Sequence, residues 1–274
     1  MKVENVAFLI PIHPPKYHFM YNLINKIKDN DINIDIYLVF SNNADYDTFV
    51  MKNEIQPIIC DFVNTNSIVT FKKFYGLKKL VDSEYDYIIC CDSEVDIICN
   101  NFTNEIINNK IKQIFDYKKI YAGETNNNLL TSINETSASL YPEKYKYIEE
   151  ITKNFTLYFW WSDLPVYRRS DINSFFSMIN YDNITYFQFD YIIYQYYLLL
   201  YHDFEIINTT PITNLKWSLE CLNTDNVDIL NKLISINYGF SWNSKIFYNL
   251  NKMFVESQKG FLIYHLDLDN FPTG

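Results

Sequence analysis

The segment that most restricts this chain runs from an apolar stretch straight into acid: YDYIICC at 85–91 is followed at once by Asp92, Ser93, Glu94, Val95 and Asp96. A strand this uniformly apolar needs cover on both faces, the condition of a mostly parallel sheet between layers of helix. Earlier residues repeat the alternation. VAFLIPI at 6–12 reads as a strand; Phe19, Leu23, Ile24 and Ile27 then recur at helical spacing. IDIYLVFS at 34–41 reads as a strand ending in the turn-prone SNNAD, and IQPIICDF at 55–62 as another short strand. Val69, Phe71, Phe74, Leu77 and Leu80 predict an amphipathic helix from Ser67 to about Asp82.

After the acidic run come a predicted helix at about 104–117 and a strand KIYAGE at 119–124. The second half is less regular: a polar loop over 125–139, the segment FTLYFWWSDLPVYRRSDINSFF, an aromatic helix at 188–201, strand-like FEIIN at 204–208 and a terminal strand FLIYHL at 261–266. The order predicts an α/β fold with a mixed, mostly parallel central sheet flanked by helices and a crevice at the strand carboxyl ends. No repeat or long Gly/Ser linker divides the chain, so residues 1–124 and 125–274 read as two halves of one continuous domain.

Composition narrows the partners. A net charge of -10 and only two arginines, Arg168 and Arg169, leave little to neutralise a nucleic-acid backbone. The longest strongly apolar run, 191–201, falls short of the roughly 20 residues of a membrane span, and the N-terminus lacks a signal-peptide pattern. Five cysteines without paired spacing fit reduced thiols, so a cytoplasmic protein is expected. With no GxxxxGK and no GxGxxG, phosphate-loop and dinucleotide folds are excluded.

If the chain stays extended after the strand, Asp92, Glu94 and Asp96 project to one side, and such oxygen ligands suit Mg²⁺ or Mn²⁺. The alternative is a polar loop that simply ends the strand. His265 sits in FLIYHLDLDN, where its imidazole either joins such a shell or serves as a core histidine; His13 follows the first strand, with Pro14 and Pro15 shaping its loop. Trp160, Trp161, Asp163 and Tyr167 form a second signal. Paired indoles offer a wide face for the C–H side of a sugar ring and Asp163 a partner for a hydroxyl, against a core pair and a turn cap. Asp190 reads as an N-cap or a pocket carboxylate, and Glu124 as the end of its strand or a pocket group.

With AFLIPIH as first strand and loop, YDYIICCDSEVD as a motif-bearing strand and YHLDLDN near the terminus, the chain resembles nucleotide-sugar-dependent glycosyltransferases of the GT-A fold, and in size the small viral and bacterial enzymes that build surface glycans. The chain departs from the family's strict Asp-x-Asp motif: the nearest match is Asp92-Ser93-Glu94, with Asp96 as a further acidic candidate. The resemblance implies a Mn²⁺ or Mg²⁺ ion held by Asp92, Glu94 or Asp96 with His265, and a nucleotide-sugar donor, by default UDP-linked. It also implies nucleotide contacts from Pro11, His13, Lys72, Lys73, Asp92, Ser93 and Glu94, and a carbohydrate or glycoconjugate acceptor near Trp160, Trp161, Asp163 and Tyr167. For an inverting reaction Asp163, then Asp190, is the expected base, with Arg168, Lys72 or Lys73 assisting the leaving group; the alternative for Arg168 and Arg169 is a surface ion pair. Retention, oligomeric state and sugar identity stay open, and a glycan-binding protein without turnover or a nucleotidyltransferase is the alternative. A viral enzyme of this kind would act in the host-cell cytoplasm.

Overall fold

A computed structural model describes residues 5–30, 32–60, 68–97, 103–142, 157–158, 165–179, 184–208, 210–213, 240–242 and 262–265. Strand β1, Val6–Pro11, is buried at every position, because it runs down the middle of the main sheet with neighbours on both edges. Helix α1, Tyr17–Asp29, returns over the sheet and buries Tyr17, Met20, Leu23, Ile24 and Ile27, a stripe at three- and four-residue spacing. Strand β2, Asp35–Phe40, pairs parallel with β1, and β3, Gln56–Ile59, parallel with β2. Between them lies a short helix α2, Asn43–Thr48, where a turn is expected from SNNAD. The Asn42 side chain accepts from Asp45 N at 2.8 Å, and this cap starts the helix.

Helix α3, Ile68–Lys79, crosses back to the other side of β1, where β4, Tyr87–Cys90, pairs parallel with it. The sheet order is β3-β2-β1-β4-β8, and β8, Val166–Arg168, is the one antiparallel member. Gly76 sets the fit of α3 on the sheet. A Cβ there would lie 2.6 and 2.9 Å from the two Leu9 methyls and 3.0 Å from Val39 Cγ2. Leu9 and Val39 are fully buried and cannot swing aside. Gly76→Ala gains about 1 kcal/mol of helix propensity but overpacks the core at about 1–3 kcal/mol. A net loss of up to about 2 kcal/mol is expected, read as a lower urea midpoint at unchanged m-value.

Strand β5, Val95–Ile97, leaves the main sheet and pairs antiparallel with β11, Leu262–His265, which pairs parallel with β10, Phe240–Trp242. Helix α4, Asn104–Tyr117, leads to β6, Lys119–Glu124, which has β7, Leu157–Tyr158, on one side and β9, Glu205–Asn208, on the other. The expected polar loop over 125–139 is instead largely helix: α5 spans Asn128–Ala138. Asn127 caps it by accepting from Leu129 N and Leu130 N, while Leu130, Ile133, Ser137 and Ala138 supply a buried stripe. Two further helices, α6 at Ile172–Met178 and α7 at Asp190–Tyr201, complete the cover. α7 buries nine of its residues, Asp190 among them, which is why its sequence shows no polar face. No helix among the described residues is long and apolar enough to cross a membrane.

Candidate functional site

The chain builds β1, β2 and β3 outward in one direction, then places β4 on the opposite edge of β1. Beyond the carboxyl ends of β1 and β4, at such a reversal, lies the place where open α/β sheets have their ligand crevice. Two loops enter it. Pro11 ends β1 and is followed by Ile12 and His13; β4 ends at Cys90 and is followed by Cys91, Asp92, Ser93 and Glu94. The acidic run does not stay extended: Ser93 and Glu94 form a turn before β5 begins. The reason is a change of partner. Cys91 N still donates to Leu9 O in the main sheet, whereas Val95 onward belongs to the ladder with β11.

The amino end of α3 delivers two lysines to this rim. Lys73 Nζ lies 2.8 Å from Asp92 Oδ1 and 2.9 Å from Asp190 Oδ1, so one ammonium joins the end of β4 to the first residue of α7. The Asp92 contact has ion-pair distance, although its alignment falls short of a regular hydrogen bond. Burial opposes the Lys73 charge, but Asp190 and Asp92 outweigh it and hold the ammonium well above its usual range. Asp190 is pushed up by burial against the pull of Lys73, and Tyr167 donates its hydroxyl to Asp190 Oδ2 at 2.9 Å. The helix N-cap is Phe189, so Asp190 is an internal ion-pair partner and not the cap that its position suggests.

Lys72 turns toward β1 and donates to Ile12 O at 2.6 Å. Burial lowers it to about 8, with Asp45 and Cys60 resisting. The unfolded lysine therefore binds more protons than the folded one between about 8 and its ordinary 10.5, so folding stability rises with pH across that window. Denaturant melts of the wild type from pH 7.5 to 10.5, set against Lys72→Met, should show that slope flattened in the variant.

At the mouth of the crevice, Ser93 Oγ donates to Glu94 Oε2 at 2.5 Å, and Lys16 Nζ stands 3.9 Å from Glu94 Oε1. Lys16 closes the short turn that begins at Pro14, and the sequence reading did not single it out. His13 is exposed beside them; partial desolvation lowers its pKa, Glu94 raises it, and Lys72 and Lys16 lower it further. The thiols of Cys90 and Cys91 are pushed up by burial, which keeps them protonated and unreactive.

Other expected site residues go elsewhere. Tyr167 is fully buried, its ring 4.5 Å from Tyr194, so it offers no surface to a sugar acceptor. Arg168 pairs with Asp171 Oδ1 at 2.9 Å and contacts His202 Nδ1 at 3.1 Å, away from the crevice. Glu124 Oε1 accepts from Asn208 Nδ2 and ties β6 to β9. Trp160, Trp161 and Asp163 lie outside the described residues, as do the side chains of Asp96 and His265. The backbone ladder pairs Tyr264 with Asp96 and His265 with Val95, which brings the terminal histidine's strand alongside the acidic one. Among the described residues no three His, Cys, Asp or Glu side chains converge as a metal cluster.

No family model matches the chain, and neither does any curated protein. Several solved structures are similar in part. S. aureus TarS is 12% identical at a TM-score of 0.30 over 44% of this chain, which spans only 22% of that chain. Residues 1–349 of TarS in complex with UDP-GlcNAc match with the same identity and TM-score, over 34% of that chain. A protein from Desulfovibrio desulfuricans G20, named as a nucleotide-diphospho-sugar transferase, is 10% identical at a TM-score of 0.38, over 94% of this chain and 99% of that one. Likenesses this distant carry no argument about activity.

Proposed function

We propose that the chain transfers a sugar from a nucleotide donor, UDP-linked by default, to a hydroxyl of a carbohydrate or glycoconjugate. The supporting observation is the meeting of Asp92, Ser93 and Glu94 with His13, Lys16, Lys72 and Lys73 at the strand-order reversal between β1 and β4. An anionic diphosphate and a polar sugar both find partners in such a mixed rim. Residues 1–124 then supply the donor half and 125–274 the acceptor half.

In this reading Lys16, at the open mouth, faces the diphosphate and offsets charge as it departs, while His13 beside it donates a hydrogen bond. Lys73 is a positioning residue: its ammonium lies against Asp92 and fixes it, so that the carboxylate can accept from a donor hydroxyl. Asp190, 4% exposed and bonded by Lys73 and Tyr167, anchors that lysine, which leaves Asp163 as the proposed base, with Trp160 and Trp161 as its sugar-facing neighbours. The chemistry of the donor set fits a hard cation: Glu94 stands in the turn directly before Val95, and Val95 is the ladder partner of His265. Asp92 and Glu94 of that loop, with His265, would hold Mn²⁺ or Mg²⁺, and the ion, when bound, would neutralise developing phosphate charge.

The test is a mass-spectrometric screen of nucleotide sugars against acceptor sugars, with Mn²⁺ or Mg²⁺, on the full chain, together with calorimetric titration of each donor. A folded chain that binds none of the nucleotides sinks the reading. Donor binding with saturable, acceptor-dependent product supports it.

A further inference from the structure

Two aromatic side chains stand in the open on the turn before α7, and the mechanism above uses neither. Tyr186 is 66% exposed and Phe187 40%, their rings 5.5 Å apart at 79°. They occupy the two central positions of a tight turn closed by Gln188 N donating to Thr185 O at 3.1 Å. The turn is locked from several sides. Gln188, itself buried, accepts from Thr185 N on Oε1 at 2.7 Å and donates from Nε2 to Thr136 O of α5 at 3.1 Å. Its carbonyl accepts from Thr70 Oγ1 of α3 at 3.2 Å. The turn that carries these rings is pinned by two bonds of the buried Gln188 side-chain amide and by one each of its backbone N–H and carbonyl.

The address of the turn says what it serves. Thr70 lies at the end of α3 that also carries Lys72 and Lys73 to the carboxyl rim of the sheet. Phe187 precedes Asp190 by three residues, so their Cα atoms are at most about 11 Å apart, the width of one or two sugar rings. Exposed aromatic faces beside polar groups suit a pyranose, which presents C–H bonds on one side and hydroxyls around its edge. The exposed ring area, roughly 200 Å² if a full aromatic contributes about 150–250 Å², is far below the ~800 Å² per partner of a stable protein interface. A second copy of the chain is therefore a poor occupant, and a saccharide a good one.

We infer that Tyr186 and Phe187 form a stacking subsite for the carbohydrate acceptor, and this rests on the glycosyl-transfer reading for the donor. The test uses the full chain and two separate readouts. An array of hexose- and N-acetylhexosamine-based oligosaccharides is probed with the wild type, Tyr186→Ala, Phe187→Ala and Tyr186→Trp, while UDP-sugar binding is followed by calorimetry. The expected result is at least a tenfold loss of oligosaccharide affinity in both alanine variants, retention in Tyr186→Trp, and unchanged donor affinity. Equal oligosaccharide binding by the alanine variants, no oligosaccharide binding by the wild type, or a change of oligomeric state in the variants overturns the inference. Loss of the donor reading shows separately, as absent UDP-sugar binding by the wild type.

Discussion

Lys73→Met should destabilise the chain by about 3–5 kcal/mol, the cost of stranding buried charge when one partner of an internal ion pair is removed. The size follows from the arrangement: a single ammonium, 6% exposed, lies against both Asp92 and Asp190, and among the described residues Tyr167 adds one hydrogen bond to Asp190. A surface pair would cost at most about 1 kcal/mol. The variant's deficit should shrink as pH falls. Burial already raises the Asp190 carboxyl, and without the lysine the rise is larger. A carboxyl raised in the folded state destabilises above its unfolded value and recovers as protons return. Urea melts of wild type and variant between pH 4 and 7.5 check both claims, and equal midpoints at neutral pH would refute the ion-pair account. Lys73→Met/Asp190→Asn should lose less than the sum of its single changes, because removing the second charge relieves the first.

The second large effect concerns turnover. Glu94→Gln keeps the shape of the side chain and its contact with Ser93 but removes the charge that faces Lys16. Transfer should fall by about 100-fold or more, the scale at which electrostatic groups in reaction centres act. Stability should stay within about 0.5 kcal/mol, because the carboxylate is partly exposed and its ion pair with Lys16 is long. Asp92→Asn, by contrast, should lose both activity and stability, since it weakens the partner of a buried lysine. Product formation per hour and thermal midpoint, measured on the same preparations, separate the two carboxylates; a Glu94→Gln enzyme of normal rate would remove Glu94 from the site.

Elements whose signal is local could be read directly from the sequence. The helix over 104–117 and the strand over 119–124 fall at their expected bounds, because apolar spacing and turn residues act over a few positions. Helix α5 was hidden by its Asn, Ser and Thr content, although Asn127 and the spacing of Leu130, Ile133 and Ser137 carried the signal of a capped, half-buried helix. Asp92 and Glu94 stood out because acid after an apolar strand is conspicuous. That Lys73 would be shared between Asp92 and Asp190 could not be seen, since Lys73 and Asp190 are 117 positions apart and no local pattern couples them. The same holds for Tyr167, whose aromatic neighbourhood suggested a surface for ligands and whose hydroxyl instead answers a buried carboxylate. The strand-order reversal that sites the crevice is likewise a property of pairing, set by which edge of β1 remains for β4.

That arrangement also bears on how the polypeptide is made. Once residue 40 has left the ribosome, β1 can zip onto β2, yet its other side waits for residues 87–90. At about 5–20 residues per second, translation needs roughly 2–10 s to supply them. During that interval the nascent chain displays a wholly apolar strand with unpaired amides, a template for wrong partners. Slow codons placed between these segments would lengthen the interval and raise the fraction of product lost to aggregation.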